Sequence, residues 1–278
     1  MPFLYYYLVS AADQQLQESL GAGTKILPSN EIESKYTFFY LDDVKARSLN
    51  LVDEGAFDAF GVVESLRWKA RENGVDYIAN EITGIERIGN RIESITLSTG
   101  QVVKVSTVVN AAGTRAAAIS RLSMNLCLRI YRSQSIQAVF TCAPTVSTII
   151  WWDVLPLGPD IAVSPDGFGY EDGVWEEKVL PILRRSIPSF ATAKVTDSWV
   201  GHYEFNTFDR NAILGPHTDV SNLLFCAGFS GHGSQQVPAR GRGVAELITY
   251  GVFKTLDLSS LLYARIAKEM PLYERAVI

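Results

Sequence analysis

Residues Asn222–Gln236 read NLLFCAGFSGHGSQQ. An apolar run, Asn222–Ala227, enters Gly228-Phe229-Ser230-Gly231-His232-Gly233, and a helix-like pattern follows from about Gln235 to Tyr250. Strand, glycine turn and helix start in that order bring bare backbone N–H groups close to a ligand. Glycine permits positive φ and close approach. The first helical turn leaves N–H donors unpaired, and the helix dipole favours negative charge there.

Outward from this turn, Tyr203-Glu204-Phe205-Asn206-Thr207-Phe208-Asp209 lies upstream and Gly241–Leu247 downstream. This ordered set, within Ser198–Leu247, resembles the C-terminal flavin-binding region of the D-amino-acid oxidase and sarcosine oxidase family. It is most similar to the mitochondrial branch called FAD-dependent oxidoreductase domain-containing proteins, which includes an assembly factor of respiratory complex I. The resemblance implies an α/β fold: an FAD/NAD(P)-binding Rossmann-like domain intertwined with a mixed-sheet substrate domain. It also implies non-covalent FAD, because no cysteine lies between Gly201 and Asp209 where some relatives attach the flavin. Implied partners are a small-molecule amine or respiratory complex I subunits, with mitochondrial placement on the matrix side of the inner membrane.

Composition narrows the field independently. With 278 residues and 47% apolar content, the chain can build a sizeable core. A net charge of −5 and pI near 5.3, with no Lys/Arg-rich run, argue against nucleic acid. Cys127, Cys142 and Cys226 lack metal-ligand spacing and read as reduced, mostly buried thiols. Three histidines make no HExxH pattern, and metal catalysis is not expected. The opening MPFLYYYLVS is too short for a membrane span and lacks the pattern of a targeting peptide.

In chain order, Phe3–Ser10 reads as β-rich and Ala11–Leu20 as a helix ended by Gly21-Ala22-Gly23. That glycine pair follows a helix and lacks a GKS/T ending, so it is a turn rather than a phosphate loop. A short helix begins at Pro28–Glu31. Phe60, Val63, Leu66 and Ala70 recur at helical spacing and predict a helix over Ala59–Asn73. Strands are expected at Asp76–Ile82 and Ile92–Leu97, with Gly89-Asn90 at the turn, and then at Val102–Val109. Leu126–Cys142 reads as a further strand, and Trp151–Gly173 as loops and turns. Val174–Arg185 reads as an amphipathic helix, Ser189–His202 as strand, and Leu261–Lys268 as a short helix.

The run Val108-Val109-Asn110-Ala111-Ala112-Gly113 carries the resemblance a second time. Family members have a strand ending in small residues here, where backbone passes FAD; tight packing of a strand end against a helix is the alternative. By resemblance, cofactor contacts fall on Ile82, Ala112, Gly113, and on Gly228, Phe229, Ser230, Gly231, His232, Gly233, Ser234 and Gln235. Thr83 stands beside Ile82 as a weaker candidate. The backbone of Gly231, His232 and Gly233 would face the pyrimidine edge of the flavin. Gln235 stands where several relatives carry an oxygen-activating lysine and cannot hold that charge, so another electron acceptor is favoured. Tyr203 could line the substrate face or pack as an ordinary aromatic. Asp209 reads as a turn residue, and Arg240 and Arg242 as solvated or surface-paired.

The strand–GxGxxG–helix unit that cradles the FAD pyrophosphate is not found in this sequence. By resemblance the chain is N-terminally truncated: 1–44 and 119–195 belong to the substrate domain, 45–118 and 196–278 to the incomplete FAD domain. FAD is then expected to be held poorly by this chain alone. Two functions follow: an FAD-dependent oxidoreductase acting beside an amine nitrogen, or a non-catalytic assembly protein built on that fold.

Overall fold

The computed structural model describes residues 11–41, 46–50, 57–123, 130–133, 141–142, 164, 166–169 and 172–273. In chain order the elements are α1 (Ala11–Ser19), β1 (Thr24–Pro28), α2 (Ser29–Lys35), β2 (Ala46–Asn50), α3 (Ala59–Glu72), β3 (Ile82–Ile88) and β4 (Arg91–Leu97). Then come β5 (Val102–Lys104), β6 (Val108–Asn110), α4 (Ala116–Ser123), β7 (Ile130–Ser133), β8 (Thr141–Cys142) and α5 (Leu180–Ser186). The last are β9 (Val195–Asp197), β10 (Tyr203–Asn206), β11 (Ile213–Pro216), β12 (Leu223–Ala227), α6 (Gly233–Tyr250) and α7 (Ala264–Ala267).

The chain divides into two compact units: residues 1–78, 141–150 and 173–196, and residues 79–140, 151–172 and 197–278. In the first, β1 pairs antiparallel with β2 and β8 pairs with β9. A π-helical turn, Trp175–Val179, runs into α5 and buries Val174, Trp175, Val179 and Leu183. The Tyr40 N–H donates to the Ser186 carbonyl at 2.8 Å, tying the aromatic loop after α2 to the end of α5. α3 forms over the expected span, but its apolar stripe is not core: Phe60, Val63, Leu66 and Trp68 are each at least 60% exposed.

The second unit holds the chain's best-packed sheet, in the order β11-β12-β6. β11 runs antiparallel to β12, and β12 runs parallel to β6 with Phe225 opposite Asn110. This mixed sheet is covered on both faces, which accounts for the unbroken apolar runs ILG and LLFCA. One face packs Ile213, Leu223, Phe225 and Ala227 with Ile92, Val220 and Tyr263. The other packs Leu214 and Leu224 with Val244 of α6 and Leu261. Asn222 fastens the neighbouring antiparallel sheet β3-β4-β5: its Oδ1 accepts the Ile92 N–H at 2.9 Å and its Nδ2 donates to the Ile92 carbonyl at 2.8 Å.

Several expected boundaries are corrected. The strand expected over Asp76–Ile82 begins only at Ile82. Residues 75–79 join no strand ladder among the described residues, and Val75, Tyr77 and Ile78 are exposed; strand character needs a partner's hydrogen bonds as well as apolar residues. The expected Val102–Val109 strand is split: β5 pairs with β4, the chain bends at 105–107, and β6 then joins the other sheet. Ser189–His202 forms only β9 plus a 3-10 turn at Pro188–Phe190. Of Leu126–Cys142, only β7 and β8 are described; Phe3–Ser10, Cys127 and most of Trp151–Gly173 lie outside the described residues. The helices starting near Ser29, Leu180 and Gly233 form, as does the Gly89-Asn90 turn. Among the described residues no helix is long and apolar enough to cross a membrane, and no cluster could hold a metal.

Candidate functional site: the glycine turn between β12 and α6

Because β6 and β12 are parallel neighbours, Ala111–Gly113 and Gly228–Gly233 leave the sheet at the same, carboxyl-terminal end. In open α/β sheets that end is where ligands bind. Ala112 is exposed and Gly113 opens a 3-10 turn with φ 55°. Asn110 fixes this corner by donating from Nδ2 to the Ala116 carbonyl at 2.8 Å and the Ser120 hydroxyl at 3.0 Å. Ile82 and Thr83 sit in the other three-stranded sheet.

The turn itself is built from left-handed backbone. Gly228, Ser230 and Gly231 have φ of 74°, 49° and 92°. At Gly228 a Cβ would also come within 3.3 Å of the Asn206 Cβ, so glycine is required twice over. Ser230 is fully buried in a conformation that non-glycine residues rarely adopt. Strand β10 holds it there: the Ser230 N–H donates to the Glu204 carbonyl at 2.9 Å, and the Asn206 N–H donates to the Ser230 hydroxyl at 2.9 Å.

Backbone accounting then separates the candidate residues. The Phe229 N–H points to Glu204 Oε1 at 3.4 Å, and the His232 N–H donates to the Phe229 carbonyl at 3.0 Å. The amides of Gly231, Gly233, Ser234 and Gln235 have no hydrogen-bond acceptor among the described residues, and the three at the start of α6 are helix-terminal donors. His232 caps the helix through its backbone and has other contacts of its own. Four outward donors at the head of an 18-residue helix suit negative charge. Gln235 is exposed and neutral. Tyr203 opens β10, and its side chain lies outside the described set.

Three site-shaping residues escape a motif reading. Glu204 and Asn206 point the same way along β10, two positions apart, and both reach the turn. That alternation of polar side chains beside an apolar strand was the available signal. Burial pushes the Glu204 carboxyl above its ordinary value, partly offset by the amides of Gly228 and Phe229. Burial likewise pushes the Cys226 thiol up, with Glu204 adding to it, so this free cysteine behaves as an inert, half-buried thiol. The third is Arg240, 5% exposed, with its guanidinium 5.3 Å from the Phe229 ring centre. Its expected surface role is corrected: α6 buries this face against the turn, and the aromatic ring accommodates the cation. Arg242 is itself exposed and pairs with the buried Glu246 carboxylate at 3.2 Å.

Below the turn, Asp209 caps its own turn as expected, its Oδ1 accepting the Asn211 N–H at 3.2 Å, and it is also fully buried. Its carboxylate receives the Arg265 guanidinium at 2.6 and 2.9 Å, the Leu272 N–H at 3.0 Å and Asn206 Nδ2 at 2.8 Å.

A parallel strand pair delivering a donor-rich glycine turn onto a helix defines an α/β protein of the dinucleotide-binding type. The profile of the DAO family, described as FAD dependent oxidoreductase, matches residues 4–247. The chain belongs to this family. It is 29% identical to FAD-dependent oxidoreductase domain-containing protein 1 of Xenopus laevis, over 95% of this chain and 62% of that protein. With its Mus musculus counterpart it shares 28% identity over 90% of this chain and 61% of that protein. The chain thus spans under two thirds of the length of these curated relatives. Among solved structures, L-proline dehydrogenase from P. horikoshii superposes with a TM-score of 0.79 at 24% identity, covering 98% of this chain and 77% of that one. Glycine oxidase from Geobacillus kaustophilus gives 0.71 at 18% identity, covering 99% and 74%. The fold is that of FAD-binding DAO-family oxidoreductases.

Proposed function

We propose that this chain forms the flavin-ring half of an FAD-dependent oxidoreductase acting on a small amine or amino acid. The observation that carries the reading is the set of amides at Gly231, Gly233, Ser234 and Gln235 that have no acceptor among the described residues, in a chain of this family. The donor set fits the pyrimidine edge of a flavin, where negative charge grows on reduction. FAD, when bound, accepts the hydride from the carbon beside the amine nitrogen. The chain's own residues hold the ring edge with backbone dipoles already fixed by Glu204, Asn206 and Ser230. The small residues Ala111, Ala112 and Gly113 let β6 end close to the ring. The binding is non-covalent, since Gly201–Asp209 contains no cysteine. Gln235, exposed and neutral, cannot itself supply a positive charge to activate O₂, which favours another electron acceptor for a flavin held here.

The pyrophosphate end fits less well. These residues contain no strand–GxGxxG–helix unit, and among the described residues β6 pairs on one edge only. We therefore assign the pyrophosphate cradle to a segment beyond these 278 residues. The test is a visible spectrum after adding FAD and desalting. The proposal predicts flavin bands when the glycine-rich unit of a longer relative is fused ahead of the chain, and weak or no retention by the chain alone. Absence of flavin from a folded fusion overturns it.

A second reading rests on the missing fingerprint and Gln235. The fold then serves as a non-catalytic docking body for respiratory complex I parts on the matrix side of the mitochondrial inner membrane. Its test is co-purification of the tagged chain with complex I subunits from mitochondria. No enrichment over an unrelated matrix protein removes it.

A further inference from the structure

We propose that Glu204 is a positioning residue that holds a proton beneath the glycine turn and so ties the turn's affinity for anions to pH. Glu204 meets the turn at two points. Its carbonyl takes the Ser230 N–H at 2.9 Å and its Oε1 faces the Phe229 N–H at 3.4 Å. Its other oxygen, Oε2, is buried and has no hydrogen-bond partner among the described residues. A buried carboxylate with one bare oxygen is costly, while a neutral carboxylic acid in that place costs far less. Among the described side chains, the titratable neighbour is Cys226 of β12, which also feels Arg240 of α6; Arg132 holds the facing backbone register position on β7. The Cys226 thiol, itself pushed up by burial, stays neutral beside it. The direction of the Glu204 shift agrees, because burial is its largest cause.

The consequence is a matter of sign. With Glu204 neutral, the outward amides of Gly231, Gly233, Ser234 and Gln235 meet an anion with no opposing charge below. As pH rises, the Glu204 proton leaves to solvent, and a negative charge then sits at the Phe229 amide that Oε1 faces. That charge opposes any anion on the outer side. The identity of the anion, the pyrimidine edge of a reduced flavin, rests on the proposed function; the buried proton does not.

Two measurements separate the claims. The first is an infrared pH titration of the chain labelled with ¹³C-glutamate, which needs no bound flavin. A neutral-acid signal that outlasts the ordinary carboxylate range, and is missing from Glu204→Gln, supports the assignment; titration of every glutamate within that range overturns it. The second is the affinity of reduced FAD as a function of pH, for the chain fused to a glycine-rich unit and for the same fusion carrying Glu204→Gln. Affinity is expected to fall by up to about tenfold per pH unit above the Glu204 titration in the former and to stay flat in the latter. Equal profiles overturn the link while leaving the flavin reading intact. No FAD binding by either, with the neutral-acid signal present, removes the flavin reading and leaves the buried proton standing.

Discussion

Helices α3 and α6 look alike as sequences, each with apolar residues at helical spacing, yet their fates differ. α6 buries Arg240, Gly243, Val244 and Glu246 against the sheet and the loop that follows it. α3 buries none of its residues. An amphipathic pattern specifies that a face can be covered, whereas the covering element has to come from elsewhere in the chain or from another molecule. The segment after α3 behaves the same way: Val75, Tyr77 and Ile78 stay exposed and join no strand ladder among the described residues, while LLFCA has a strand neighbour on each side.

The largest test of this contrast is Asp209→Asn. It leaves the buried Arg265 guanidinium without its counter-charge, and the expected loss is about 3–5 kcal/mol in denaturant unfolding. A loss under about 1 kcal/mol would mean that water already reaches this pair. Gly215→Ala comes next. Gly215 has φ 79°, and a Cβ there would approach Leu262 Cδ2 to 2.3 Å. A loss of about 1–3 kcal/mol is expected.

Acidification should act on the same packed region. His217 accepts the Asp219 and Val220 N–H groups through Nδ1 at 2.9 and 3.1 Å, and stacks on Tyr263 at 4.8 Å. Burial is the main cause holding its pKa below the ordinary value; Asp219 opposes and Arg87 adds. The folded form therefore favours the neutral ring. The stability this contributes is complete above the ordinary histidine range and is lost as pH falls through it toward the lower folded value. Thermal melts of wild type and His217→Gln should converge on that descent. Glu246, held at about 2 chiefly by the Thr255 hydroxyl and the Lys254 N–H, contributes stability above the ordinary glutamate range that is lost only as pH falls toward about 2. The smallest effect belongs to α3: Phe60→Ser should change stability by no more than about 0.5 kcal/mol. A larger loss would show that this face is covered in solution and would break the comparison.

The turn and its helix were legible because they depend on local rules: glycine for left-handed backbone, apolar runs for a doubly covered strand, helical spacing for α6. Arg240 was misplaced because a charge on a helix face reads as solvent-exposed until one knows that Phe229 comes back over it. Glu204 was quoted within a motif without its role, since that depends on a carboxyl oxygen meeting a turn 25 residues later. The Val102–Val109 run was misread because apolar continuity cannot show a bend that transfers a chain between sheets. Asp209 read as a turn residue, and only the fold reveals a cation from 56 residues downstream.

That last pair also bears on how the protein is made. During synthesis the Asp209 carboxylate leaves the ribosome well before Arg265 and the Leu272 amide that together neutralise and saturate it. Until then the sheet beneath the glycine turn must either stay open to water or bury an uncompensated charge. The second unit should accordingly reach protease resistance late in translation, once residues past 272 have emerged, and nascent chains stalled before Arg265 should be the ones that chaperones capture.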